Sequence, residues 1–149
     1  MKTNTLFRSA LAAATAAFLF SACIKDDEPT TPEPTTSEKL VGTWKMTFEA
    51  DDDNTNNLLE ESEKTPRPAG EDIRFTFRAD SSLAYMVKYN GVGADSGTGT
   101  WSIVDGDYLR YVLHTSVVKN YKLHTLDSAS LIFEDSSAHP MEWTGFAKQ

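Results

Sequence analysis

The sequence of 149 residues has a single cysteine, Cys23. One cysteine closes no disulfide within the chain and supplies no zinc-thiolate set. Long apolar runs are missing too, because the longest, Ala10 to Phe20, falls well short of the roughly 20 residues a transmembrane helix needs. Basic residues are scarce, 14 against 22 acidic ones, for a net charge of −8. A protein that neutralises phosphates needs a surplus of Lys and Arg on one face, so nucleic acid is not an expected partner. The three histidines, His114, His124 and His139, show no metal-ligand spacing, and no serine or threonine stands in a nucleophile elbow. Adjacent acids such as Glu60 and Glu61 sit in a polar run where carboxylates are ordinarily solvated. The chain therefore reads as no enzyme, with no cofactor and no metal expected.

What is present at the N-terminus is an address. Lys2 and Arg8 precede the apolar run without an intervening acid, which is the charge pattern of a secretory signal over residues 1–22. Phe20-Ser21-Ala22-Cys23 resembles the lipobox of bacterial lipoproteins, although Phe20 stands where leucine is usual. The resemblance implies that Cys23 is diacylated, becomes the mature N-terminus and anchors the protein to a lipid bilayer. Acyl chains contribute about 0.8 kcal/mol per buried CH₂ and remove an exposed thiol from an oxidising compartment. The alternative is an ordinary small-residue cleavage site with an incidental thiol. Lys25, Asp26, Asp27 and Glu28 resemble the export signal of Bacteroidetes surface lipoproteins, which implies an outer-membrane protein facing the cell exterior; a plain solvated tether on the periplasmic face is the other reading. From Glu28 to Glu38 prolines and threonines dominate and no aliphatic or aromatic residue appears, so nothing offsets the entropy of ordering. Residues 23–38 form a tether, disordered by composition. Loss of Lys2 and Arg8 with the leader leaves 12 basic and 22 acidic residues, a net of −10.

From Lys39 to Gln149 one domain remains, and its hydrophobic pattern has period two. In KLVGTWKMTFE, Leu40, Gly42, Trp44, Met46 and Phe48 alternate with Thr43, Lys45, Thr47 and Glu49. Ile73, Phe75 and Phe77 repeat the pattern, as do Leu83, Tyr85, Val87 and Tyr89. Ala79-Asp80-Ser81, Asn90-Gly91 and Asp105-Gly106 suit tight connections, and further strands are expected over Val117–Thr125, Ser130–Glu134 and Met141–Lys148. About eight short strands at hairpin spacing, with no stretch suited to a crossover helix, predict an all-β, antiparallel up-and-down barrel. A two-sheet sandwich is the alternative, but its Greek-key crossings need longer late loops.

KLVGTWKMT, with Gly42 two residues before Trp44, resembles the G-x-W motif that opens the first strand of lipocalins. Small Bacteroidetes lipocalin-like lipoproteins are similar over nearly all of residues 39–149, through IRFTFRAD, GTGTWSIVDGDYLRYVL and SASLIFED in that order. Two stretches depart from the family. Thr125-Leu126-Asp127-Ser128 stands where lipocalins often carry Thr-Asp-Tyr, and Lys148 is the one basic residue available to replace the last-strand arginine that covers the opening tryptophan. Strict alternation from a core-facing Trp143 would turn Lys148 away from Trp44, unless Gly145 marks a bulge.

The resemblance implies a small hydrophobic or amphipathic ligand held in the barrel without chemistry. An eight-stranded barrel is just wide enough to be filled by its own side chains or to hold one such ligand. The inward list (Trp44, Phe48, Phe75, Phe77, Tyr85, Tyr89, Trp101, Tyr111, Tyr121, Phe133, Trp143) suits either outcome. A filled barrel would instead be a scaffold whose loops bind protein or glycan. The long connection from Ala50 to Glu71 exceeds hairpin length and is either a solvated acidic loop with a helical turn near residues 57–64 or, as in lipocalins, a lid. As a lid it would turn Leu58 and Leu59 toward a ligand. Asp51, Asp53, Thr55 and Asn57 alternate like calcium-loop ligands, but Asn56 holds the place of the required glycine and Ser62 that of the bidentate glutamate. Asp127-Ser128-Ala129 resembles an O-glycosylation motif of Bacteroidetes secreted proteins, or is a plain turn.

Overall fold

A computed structural model describes residues 32–114 and 116–149. One compact unit spans Glu33–Gln149. It begins earlier than composition suggests, because a turn of helix, α1 (Thr36–Leu40), closes the tether. A capping box holds it: Glu38 N–H donates to Thr35 Oγ1 at 3.3 Å, and Thr35 N–H donates to Glu38 Oε2 at 2.7 Å. These two bonds satisfy helix donors that have no partner within the turn. The reward for ordering it is Leu40, completely buried in the core. The expectations for residues 1–31, including Cys23 and the acids Asp26, Asp27 and Glu28 after Lys25, lie outside the described residues.

Nine strands follow: β1 (Gly42–Asp51), β2 (Lys64–Pro66), β3 (Glu71–Phe77), β4 (Ser82–Tyr89), β5 (Val92–Val104), β6 (Tyr108–Leu113), β7 (Val117–Leu126), β8 (Ser130–Asp135) and β9 (Glu142–Lys148). From β3 onward each strand pairs antiparallel with its successor, β1 pairs with β3, and β1 pairing with β9 closes the ring. The barrel is thus eight-stranded and up-and-down, as the sequence pattern predicts. β2 is an accessory strand on the outer half of β1, with Phe48 opposite Pro66 and Ala50 opposite Lys64. Asn90 (φ 51°) and Gly91 (φ 78°) link Tyr89 directly to Val92, the left-handed pair that a two-residue hairpin requires.

Register places the two ends. α1 and the turns β3–β4, β5–β6 and β7–β8 gather at one end, and the long β1–β3 connection with the turns β4–β5, β6–β7 and β8–β9 at the other. At the first end Leu40, Trp44, Phe77, Leu83, Leu109 and Leu131 are all but fully buried. Gly42 (φ +143°) swings the chain from α1 into β1, and a Cβ there would lie 2.7 Å from Lys148 Cε. This is why the motif needs glycine: the backbone angle excludes other residues, and the lysine stem passes where a side chain would start.

β1 carries a bulge between Met46 and Phe48. Met46 opposes Phe146, but Phe48 opposes Gly145, so Thr47 is the extra residue and the faces exchange beyond it. Phe48 lies on the bare backbone of Gly145, where a Cβ would come within 1.9 Å of its ring. Two expectations need correction as a result. Phe48 is on the outer face, and so is Trp143, which pairs with Ala50 and Glu134 and lies outside the core cluster despite being buried. With Trp143 outward, plain alternation along β9 turns Lys148 inward, and no bulge at Gly145 is needed.

Candidate functional site

Above the packed end the barrel interior opens into a cavity of about 250 Å³, lined by Met46, Glu49, Ile73, Phe75, Tyr111, Tyr121, Phe133, Thr144 and Phe146. Its walls are rings in mutual contact. Tyr121 stacks on Phe133 at 5.4 Å between centroids, Phe133 meets Phe146 at 4.9 Å, and Phe75 meets Phe146 edge-on at 5.8 Å. Such pairs add about 0.5–1.5 kcal/mol beyond burial and fix a shaped wall. Tyr111 is deeply buried. Burial pushes its phenol well above the ordinary value, with Tyr121 next to it, a hydrogen bond between the two, and the charge of Asp135 adding to the effect.

Of the residues expected to line a ligand, Phe75 and Tyr111 do line the cavity. Phe77 and Trp101 belong to the packed end, where they meet edge-on at 5.7 Å and the Trp101 indole N–H donates to Arg78 O at 3.1 Å. Phe48 faces outward under Lys64, whose Nζ is 5.0 Å from its ring centroid. Tyr89 is largely exposed at the β4–β5 turn. Tyr85 faces inward beside Phe75 but stands at the rim, its hydroxyl donating to Asp95 Oδ2 at 2.8 Å and lying 2.6 Å from His114 Nε2. The bond to Asp95, which favours the protonated phenol, raises the Tyr85 titration point.

The long loop is not folded over the cavity. Asp52, buried in an otherwise exposed run, accepts the backbone N–H groups of Asn56 and Asn57 at 3.0 and 2.9 Å and curls the loop on itself. A 3₁₀ turn at Glu61–Glu63 then leads into β2. Leu58 is 63% exposed, and neither it nor Leu59 lines the cavity. Glu60 accepts from the Asn54 and Asn56 side chains, and Glu61 pairs with Lys64. Among the described residues no group of three or more His, Cys, Asp or Glu side chains is placed to hold a metal ion. His124 meets Glu134 on the outer face and His139 precedes Pro140, so the histidines do not converge. Ser128 is exposed in a turn that Asp127 shapes by accepting from Ala129 N and Ser130 N, each at 2.8 Å.

With Thr144 and Phe146, which alternation from a core-facing Trp143 turns outward, Glu49 is a lining residue that strand alternation misses. Counted from Trp44 it belongs to the water face, and the bulge at Thr47 brings it inside. Its carboxylate pairs with Arg67, whose second guanidinium nitrogen pairs with Glu71. The sequence signal was Gly145 opposite a phenylalanine, a place where one strand must yield to the other.

A barrel closed by its first and last strands, opening on the G-x-W turn and holding an aromatic-walled cavity, matches the lipocalin-like domain family, whose profile covers residues 40–133. The chain belongs to that family. Among solved structures it is similar to a lipocalin-like protein from Bacteroides uniformis, at 14% identity and a TM-score of 0.54, covering 74% of this chain and 99% of that one. It is also similar to Japanin from Rhipicephalus appendiculatus, solved bound to cholesterol, at 11% identity and a TM-score of 0.47, covering 77% and 79%. The curated proteins include no match. At these identities the lipocalin-like likeness speaks for the fold alone.

Proposed function

We propose that this lipocalin-like protein is a non-enzymatic lipoprotein that holds one small hydrophobic or amphipathic molecule in its barrel. The observation that carries the reading is the cavity: about 250 Å³, walled by Phe75, Tyr111, Tyr121, Phe133 and Phe146. Ligand sites usually begin near 300 Å³, so a ligand of one or two rings is favoured over a long lipid. Acylated Cys23 would anchor the protein in the outer membrane, with Lys25, Asp26, Asp27 and Glu28 directing it to the cell surface and the Pro/Thr-rich tether holding the barrel off the bilayer. Metabolic labelling with a radiolabelled fatty acid tests the anchor: label should enter the wild-type chain and be absent from Cys23→Ser.

Native mass spectrometry of the full chain, purified gently from a bacterial lysate and compared before and after organic extraction, tests the binding itself. A mass excess removed by extraction is the expected result. A mass that never changes, even with lipids, sterols and quinones added, overturns the reading. The second reading, a scaffold whose loops bind protein or glycan, draws on the exposed apolar residues around the mouth, Leu58, Tyr89, Val92, Val117 and Val118. An unchanging apo mass is the outcome it requires.

A further inference from the structure

The cavity has an apolar wall and an acidic mouth. Glu49 enters the lining, and its cross-strand partner Thr144 pairs in turn with Phe133, so these three form one inward rung. One rung nearer the mouth, on the same face, Asp51 pairs with Glu142 and Glu142 with Asp135. Three carboxylates therefore stand side by side across three strands, an arrangement that costs stability through like-charge repulsion. The field reaches inside, since Asp135 is among the groups that disfavour ionisation of Tyr111. Glu71 and Asp95 pair with Tyr89 and Val87 on the inward face of the far wall.

Cations at this end are few. Arg67 is already shared between Glu49 and Glu71, which leaves that trio one positive charge short. Lys119, opposite Tyr111, faces the same end, and no ion pair joins it to these acids among the described residues. Resting on the binding reading above, we propose that the ligand is a small aromatic amine, bound as its ammonium ion with the ring among Phe75, Tyr121, Phe133 and Phe146 and the charge at Glu49. Ring faces attract a cation as well as an apolar body, and a second cation beside Glu49 completes the charge balance that Arg67 leaves open. The polar contact lies at the rim and the ring lies below it, which is the order in which a short ethylamine chain would present them.

The test is isothermal titration of the full chain, at about 50 mM salt, with three probes of one skeleton: 2-phenylethylamine, 2-phenylethanol and phenylacetate. Glu49 is about half exposed, so one ion pair is worth up to about 1 kcal/mol, which is roughly fivefold. The amine should bind about fivefold more tightly than the alcohol, and the carboxylate more weakly than both. Glu49→Gln should erase the preference for amine over alcohol, and a far-UV circular dichroism spectrum and urea midpoint matching the parent's report that the barrel is intact. Equal affinity for amine and alcohol, or preference for the carboxylate, overturns the charge assignment and leaves the cavity reading standing. Binding of none of the three overturns the assignment too, and native mass spectrometry then shows separately whether the cavity holds anything else.

Discussion

The two ends of the barrel are built on opposite principles. At the closed end no buried side-chain nitrogen or oxygen among the described residues lacks a partner: the Trp44 indole N–H donates to Leu40 O at 2.7 Å, that of Trp101 reaches Arg78 O, and Lys148 Nζ reaches Lys39 O at 3.3 Å. At the mouth, carboxylates face each other in register, Arg67 Nε is buried without a partner, and valines and a tyrosine stand in water. Satisfied, tightly packed groups supply stability, whereas unpaired charge and exposed apolar surface are tolerated where a ligand or partner will later meet them. The comparison predicts that substitutions should separate cleanly by end.

The sharpest contrast is Trp44→Ala against Leu58→Ala. The first removes a fully buried indole that spans the floor of the barrel, and large-to-small changes of this kind cost about 3–5 kcal/mol. The second trims a side chain already in water and should stay within about 0.5 kcal/mol of the parent. Urea unfolding of both variants, followed by circular dichroism, checks the pair. Similar midpoints for the two would mean that the closed end is not the seat of stability.

A second prediction sits on the wall between the ends. Tyr111 titrates well above a free tyrosine because burial disfavours its phenolate. A group whose folded titration point is raised contributes its stability in full below the unfolded value, near 10, and loses it as pH climbs above that value. Unfolding free energy should therefore fall above about pH 10, by up to about 1.4 kcal/mol per pH unit from this group. Tyr111→Phe keeps the ring and removes the titration, so its alkaline decline should be shallower. Parallel declines in parent and variant would place the alkaline sensitivity elsewhere.

Legibility also differed by end. The closed end could be read from sequence because its devices are local: a glycine two residues before a tryptophan, Asp105-Gly106 at the β5–β6 hairpin, alternation along each strand. The mouth could not, because its geometry hangs on one extra residue in β1. Thr47 exchanges the faces of everything after it, so Glu49 enters the cavity while Phe48 and, through pairing, Trp143 leave the interior. Alternation has no term for an insertion that is absorbed by the partner strand. The buried role of Asp52 was hidden in the same way. Its neighbours Asp51 and Asp53 looked like equivalent acids, and what distinguishes it, two backbone N–H groups four and five residues on, is a fold of the loop and not a spacing in the sequence.

The smallest effect tests whether the lid on Trp44 is ionic or merely apolar. Lys148 Nζ lies 5.0 Å from the indole centroid and also donates to Lys39 O, while its stem occupies the space beside Gly42. Lys148→Met keeps a stem of similar length and removes the charge and the donor. A cation over tryptophan contributes about 0.5–1 kcal/mol at a partly exposed site, so the variant should lose about 1 kcal/mol, and Lys148→Arg should lose less. If methionine matched the parent, the stem alone would cover the indole. The charge that distinguishes the closed end from the mouth would then be incidental, and packing would be the whole of its stability.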